Sequence, residues 1–457
     1  MIAFRLDTRR AVMRRRCLLA LVVLLGTLGV APSDSPAAGG PKWGPVQFLG
    51  RNSVYAPVVR VTARGESVAV WLEYDINSHR NAVMASTASP GRRFTGHRAL
   101  SAWTTGEISA PQIALDRSGT AMVVWAQTDG GVRAVIRHAR ARFGPTQTVS
   151  SEGVTADVAL DHRGNAVVAW LSGKGSTQRV EASYRPSRHG FGAAQVLSAP
   201  AANGLFSPRA IFDVRGRALV GWTAWDAERR DTVQVATRPS GRPFGAPATL
   251  SRSRPDSIFN DLELMASPTG EVVAAWSHLA HVGMYAFASR IEVSVRRPEG
   301  SFRPATAVSE SGASASGPQL GVSPAGVVTV VWGRSSADRF GEDGVPTDVR
   351  AVDRPPHGRF GRARTISGRR AADPPAVAVD ASGNELVAFR ASSPASTFRP
   401  GNAVEFQPPV RLALGNVTTV GVSLGGRGIG VIYGASHADN PRPDRLRVSI
   451  GTLRAAR

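Results

Sequence analysis

Two tryptophans stand where chemistry could be done. Trp103 lies in the run Ser101-Ala102-Trp103-Thr104-Thr105-Gly106-Glu107, and Trp225 opens the run Trp225-Asp226-Ala227-Glu228-Arg229-Arg230-Asp231. An exposed indole beside acids and arginines suits stacking on a sugar or contact with a peptide, so Trp103, Trp225, Asp226, Glu228 and Arg229 are the candidate ligand-binding residues. The competing role for both indoles is packing within their own loops. Hydrolysis would need paired carboxylates, and Glu107, Asp226, Glu228, Glu342 and Asp343 are the acids to consider. They fall in different parts of the chain, so sequence does not set their separation. His278 and His281 are three residues apart with no acid cluster beside them, which is weak support for a metal. Asp338, Glu342, Asp343 and Asp348 share one segment but lack the alternate-residue spacing of a calcium loop, and we expect a solvated charged loop there. No H-E-x-x-H motif occurs, and the one G-x-S-x-G string, Gly421 to Gly425, falls inside the eighth repeat, where no helix is predicted to follow, so it is not a nucleophile elbow. The single cysteine, Cys17, rules out a disulfide framework and cysteine metal sites. The expectation is no catalytic set, no metal and no cofactor.

The scaffold that must carry these residues is a repeat. Eight times an alternating apolar strand, a tight turn and a second apolar strand lead to an aromatic: Trp71, Trp125, Trp170, Trp222, Trp276, Trp332, Phe389 and Tyr433. In the first seven copies a glycine stands six residues before the aromatic, at Gly65, Gly119, Gly164, Gly216, Gly270, Gly326 and Gly383. A small polar residue stands nine before it, at Thr62, Asp116, Asp161, Asp213, Ser267, Ser323 and Asp380. In the eighth copy Ser423 and Gly426 are each one place out of phase. Each glycine supplies a positive φ for its turn, and the polar residues are expected to accept backbone hydrogen bonds there. The six tryptophans are expected to fill equivalent slots between repeats.

One unit, 111–150, shows four short antiparallel strands, the composition of a β-propeller blade. Its last strand has a signature, phenylalanine followed seven places later by serine, repeated at Phe94/Ser101, Phe143/Ser150, Phe191/Ser198, Phe244/Ser251, Phe302/Ser309 and Phe360/Ser367. Near the N-terminus, Lys42 to Gly50 reads as this fourth-strand phrase alone, while the last repeat, Val417 to Leu453, has three strands and lacks a fourth. The two fragments are complementary. We therefore expect an all-β β-propeller of four-stranded antiparallel blades, closed by the N-terminal strand. Eight blades are expected, with seven as the alternative if 392–415 does not form a full sheet.

The phrase Val377 to Asn384, and its variant Val158 to Asn165, resembles the opening of the NHL-type and related extracellular bacterial propeller repeats. The repeated tryptophan departs from that pattern, so the resemblance implies architecture and no activity. The sialidase Asp-box spacing is not met, because Asp116 is followed by glycine at three and tryptophan at nine.

Residues 1–31 read as a signal peptide, with Arg9, Arg10, Arg14, Arg15 and Arg16 ahead of an apolar run, Cys17 to Val30, that is short for a membrane span. A flexible linker is expected over 32–41, and a single propeller domain over 42–457. The formal charge of +21 comes almost wholly from arginine, with Lys42 and Lys174 the only lysines. The arginines are scattered, which argues against nucleic acid and fits attraction to an anionic envelope polymer. The composite expectation is a secreted, monomeric, non-enzymatic propeller of a bacterial envelope. It would bind an extracellular glycan or protein, with no stable membrane insertion, through its variable-loop face, where the loops from second to third strand and from one blade to the next vary in length while the glycine turns opposite are nearly constant. The alternative is a polysaccharide hydrolase or lyase whose acids assemble across the ring.

Overall fold

Asp161 and Gly164 show how each hairpin is made. Gly164 adopts φ +81°, and Asp161 Oδ1 accepts the backbone N–H groups of Arg163 and Asn165 at 2.8 and 2.9 Å. The same geometry recurs at Asp213 with Arg215 and Arg217, and at Asp380 with Ser382 and Asn384. Thr62, Asp116, Ser267 and Ser323 accept turn N–H groups as well. All seven glycines lie between φ +73° and +95°, where a Cβ is disfavoured.

The computed structural model describes residues 40–457 apart from 129, 201–207, 226–229, 255–256, 282–286, 312, 337–345, 369–371, 436–444 and 454–457. They form eight antiparallel sheets: blade 1 (53–99), blade 2 (112–150), blade 3 (156–196), blade 4 (209–252), blade 5 (257–307), blade 6 (313–365), blade 7 (372–411) and blade 8 (419–452). Seven have four strands in sequence order. The segment 392–415 contributes Pro394–Arg399 and Val410–Arg411 to blade 7, which decides for eight blades over seven. The helical content of the described residues is two single 3₁₀ turns.

The first strand of each blade touches the first strand of the next in all eight neighbouring pairs, the eighth with the first included. The ring is therefore closed and the first strands line its centre. Closure comes from the N-terminus. Lys42–Trp43 pairs with Thr452 and Gly451, and Gln47–Leu49 pairs with Val448, Arg447 and Leu446. Gln47 also clamps the backbone of Phe94 in blade 1 at 2.6 and 2.9 Å, as Gln195 of blade 3 clamps Phe244 of blade 4 at 2.7 and 2.8 Å. The N-terminal segment is thus a true fourth strand.

Separate cores fill the boundaries between blades, and the repeated aromatics occupy them. Trp125 lies between blades 1 and 2, Trp170 between 2 and 3, and Trp222 between 3 and 4. Trp276 lies between blades 4 and 5, Trp332 between 5 and 6, and Phe389 between 6 and 7. All six tryptophans of the repeat are buried, so their role is packing. Tyr433 breaks the pattern. The pair closing the blade 8 hairpin is Leu424 with Gly430, matching Leu115 with Ala121 in blade 2, so Gly434 takes the tryptophan position and Tyr433 stands one residue short of it. Because side chains alternate along a strand, Tyr433 faces the other way and joins the core between blades 8 and 1.

The fourth-strand serines have a use that their spacing foretold only in part. Ser101, Ser198, Ser309 and Ser367 accept the N–H of Val83, Val180, Ile291 and Val349, capping the third strand where the fourth ends. In blades 2 and 4 the fourth strand continues, and Ser150 and Ser251 pair through the backbone instead.

Candidate binding site in the central channel

One position of the innermost strand is the residue paired with the one before the aromatic of the second strand, or, in blade 8, with the one before Gly434, which takes the aromatic's place. Round the ring it is Val58, Gln112, Asp157, Arg209, Glu263, Gln319, Ala376 and Gly421. Five consecutive blades, 2 to 6, thus carry a long polar or charged side chain there, and the remaining three carry small apolar residues.

These side chains join neighbouring blades. Asp157 Oδ2 accepts the N–H of Ala210 at 2.8 Å. Arg209 donates through Nε to the carbonyl of Leu262 at 3.1 Å and through Nη2 to Glu263 Oε1 at 3.2 Å. Gln319 donates through Nε2 to the same oxygen at 3.4 Å. Arg60 of blade 1, two residues beyond Val58, acts electrostatically on both Asp157 and Glu263. The two acids are partly open to the channel yet surrounded by protein on most sides, and burial pushes both carboxyls above their ordinary range, with Arg209 opposing. The Glu263 carboxylate in turn raises the Arg209 guanidinium.

β-Bulges shape the strand just before this position. Ala56, Asp261 and Gly317 occupy equivalent places in blades 1, 5 and 6, and all have positive φ, at +45°, +55° and +62°. Asp261 Oδ2 accepts the Ser277 hydroxyl at 2.9 Å and the Gly317 N–H at 3.3 Å, which holds the two bulged strands in register.

The opposite side of the channel is apolar. A cavity of about 430 Å³ is lined there by Pro57, Pro374, Val420, Gly421 and Tyr433, and Gln319 borders it from the polar arc. Gly421 is needed in this wall, because a Cβ on it would stand 2.2 Å from Tyr433 Cζ. The displaced tyrosine therefore covers the channel position of its own blade. The result is a channel with hydrogen-bonding groups on one side and prolines and an aromatic ring on the other.

The residues expected from sequence lie elsewhere. Trp103 is in the loop between blades 1 and 2 and is 36% exposed. Trp225 is not in a loop: it is the last residue of the strand Ala218–Trp225, half-buried and paired with Asp231. Blades 2 and 3 stand between the two tryptophans in the ring. Asp226, Glu228 and Arg229, like Asp338, Glu342 and Asp343, lie outside the described residues. Asp348 is ion-paired with Arg334 and Arg350. His278 binds Glu292 through Nδ1 at 2.9 Å and packs edge-on to Phe259, whereas the side chain of His281 is outside the described set. Among the described residues no group of three His, Cys, Asp or Glu could hold a metal, and no helix is long and apolar enough to cross a membrane.

The polar arc escaped the sequence reading, yet a signal for it existed. Its members stand thirteen residues before the aromatics of their blades, from Gln112 before Trp125 to Gln319 before Trp332. Polar residues in an apolar column of a repeat mark a position that packing alone does not require.

No protein-family model matches the chain, and no curated protein matches it. Solved structures do. A Dyadobacter fermentans protein of unknown function aligns at TM-score 0.45 and 10% identity, over 91% of this chain and 100% of its own. An ulvan lyase of a polysaccharide lyase family aligns at 0.49 and 9%, over 90% and 96%. A Penicillium chrysogenum α-L-arabinanase aligns at 0.41 and 11%, over 64% and 90%. The eight-bladed, all-β propeller architecture rests on the chain's own eight antiparallel sheets.

Proposed function

We propose that this chain is a saccharide-binding propeller, acting after export at the envelope of a bacterium, and that it takes a sugar of its glycan into the central channel. The observation that carries this reading is the division of the channel at a single register position. Gln112, Asp157, Arg209, Glu263 and Gln319 supply donors and acceptors, and Pro57, Pro374 and Tyr433 supply an apolar wall opposite. A pyranose has the same two characters, hydroxyls at its edge and C–H groups on its face, and the cavity volume is that of a small-ligand site. The exposed indole of Trp103 stands at the loop end of the ring, where a longer glycan would pass.

The test is retention of the full chain, without its first 31 residues, on a panel of envelope and plant polysaccharides, with released sugar measured alongside. Arg209→Met, Gln319→Ala and Tyr433→Ala are each expected to weaken retention while the chain stays folded. Retention equal to the unmodified chain in all three variants would remove the channel from consideration. A protein partner would appear as failure on every glycan together with capture of an envelope protein that depends on Trp103.

One observation favours a second reading, a hydrolase or lyase. Asp157 and Glu263 flank Arg209, and burial raises both carboxyls above their ordinary range, the direction in which a general acid is tuned. Release of sugar that disappears in Glu263→Gln would assign that activity, and release without dependence on either acid would place it elsewhere.

A further inference from the structure

On the face of the glycine turns, opposite the variable loops, an arginine ends the third strand in six consecutive blades. It pairs with the first residue of the second strand: Arg137 with Ala121, Arg185 with Ala166, Arg238 with Ala218, Arg296 with Val272, Arg354 with Val328 and Arg399 with Glu385. Most of these buried or half-buried cations reach a partner. Arg296 meets Asp213 of the preceding blade at 2.8 Å, and Arg354 meets Glu271 at 2.8 Å. Arg399 meets Asp353 at 2.6 Å, and Arg137 stands 3.8 Å from Glu66. Arg238 stacks on the ring of Tyr184 at 3.6 Å.

Arg185 is the exception. It is 8% exposed, its Nε finds no acceptor, and among the described residues no carboxylate pairs with it. Burial alone depresses its basicity. An unpaired buried guanidinium is costly, so a site that keeps one has a use for it. Arg185 forms part of the wall of a cleft of about 380 Å³ between blades 2 and 3, which Arg163, Arg188, His138 and His162 also line. These four are exposed, so the cleft has a buried arginine within and a cationic rim outside. Asp116 is its one carboxylate among the described residues. Asp116 Oδ1 is already engaged, by the Ser118 hydroxyl at 2.6 Å and the Thr120 N–H at 2.9 Å.

We propose that this cleft is an oxyanion site, in which Arg185 with Arg163 and Arg188 receives a sulfate or phosphate group. The planar guanidinium matches two oxygens of such a group, and the ligand would supply the counter-charge that the boundaries between blades 4 and 5 and between blades 5 and 6 obtain from Asp213 and Glu271. The site is separate from the channel and does not depend on the saccharide reading.

The test titrates the full chain with inorganic sulfate and inorganic phosphate against chloride at matched ionic strength, by calorimetry and by thermal midpoint. Saturable binding of one ion per chain with a raised midpoint is expected. Arg185→Met should weaken it on the order of tenfold or more, while the midpoint without the anion is unchanged or higher, because an unpaired buried cation has been removed. Arg163→Gln, at the solvated rim, should weaken binding without altering the midpoint. Arg296→Met, the paired counterpart, should lower the midpoint and leave anion binding intact. A parallel arm with dextran sulfate and plain dextran separates the sources: Arg185-dependent retention of the sulfated polymer identifies an ester group on a polymer, and response to the inorganic ions alone identifies a free ion. Absence of saturable binding, or equal binding by Arg185→Met, would overturn the proposal. So would a large drop in the anion-free midpoint of Arg185→Met, since that would make the arginine structural.

Discussion

Arg354 and Glu271 are 83 residues apart in the chain and share two hydrogen bonds, of 2.8 and 2.9 Å, across the boundary between blades 5 and 6. Glu271 is fully buried, and His357 adds a backbone N–H at 3.2 Å. Breaking such a pair leaves a buried charge without compensation. Glu271→Gln is therefore expected to lower stability by about 3 kcal/mol, read from denaturant unfolding. An effect below about 0.5 kcal/mol would mean that Arg354 finds another partner.

Glu271 and Glu263 should respond to pH with opposite signs. The hydrogen bonds from Arg354 hold the Glu271 carboxyl below its ordinary range, so its contribution is present above the unfolded-state value and is lost as pH falls through the folded one. Burial holds the Glu263 carboxyl above its ordinary range, so the folded chain keeps that proton longer, and stability falls as pH rises through the folded value. Unfolding free energies measured between about pH 4 and pH 7 test this. The deficit of Glu271→Gln against the unmodified chain should widen as pH rises. The balance for Glu263→Gln should shift toward the variant over the same interval.

Gly451 is the contact on which ring closure turns. A Cβ there would meet Trp43 Cε3 at 2.5 Å and the carbonyl of Lys42 at 2.7 Å, so Gly451→Val must push the N-terminal strand off blade 8. The expected cost is about 1 to 3 kcal/mol. Leu446–Thr452 would then be an uncovered edge, and faster aggregation by light scattering should accompany the lower midpoint. Normal solubility with a lowered midpoint would show that the edge is protected in another way.

The tryptophans share a slot but not a hydrogen bond. Trp276 donates through Nε1 to Glu292 at 3.1 Å, whereas the Nε1 of Trp222 is buried without an acceptor. Replacement of either by alanine is expected to cost about 3 to 5 kcal/mol. Phenylalanine separates them: Trp276→Phe should be worse than Trp222→Phe by about 1 kcal/mol, because the first also loses a bond to a charged acceptor. Equal costs in thermal unfolding would show that Glu292 is satisfied by His278 and Arg290 alone.

By itself the sequence determined the architecture, because every feature behind it is local and periodic. The turn glycines, the polar residues that accept their N–H groups and the aromatics at the end of each second strand act within one hairpin, so their spacing survives in the linear chain. The missing fourth strand of the last repeat and the orphan phrase around Trp43 even showed where the ring would close. Tertiary structure alone decided what the repeats bring together. Asp157, Arg209, Glu263 and Gln319 meet because four successive innermost strands converge on one axis. Tyr433 turns toward the channel because a single-residue shift in the last hairpin reverses its face. Arg185 has no ion-pair partner because, among the described residues, no carboxylate of the neighbouring blade reaches it, and such contacts between blades leave no mark on local periodicity. Trp103 and Trp225 stood out in the chain by being off register, but being off register carries no distance, and the ring sets two blades between them.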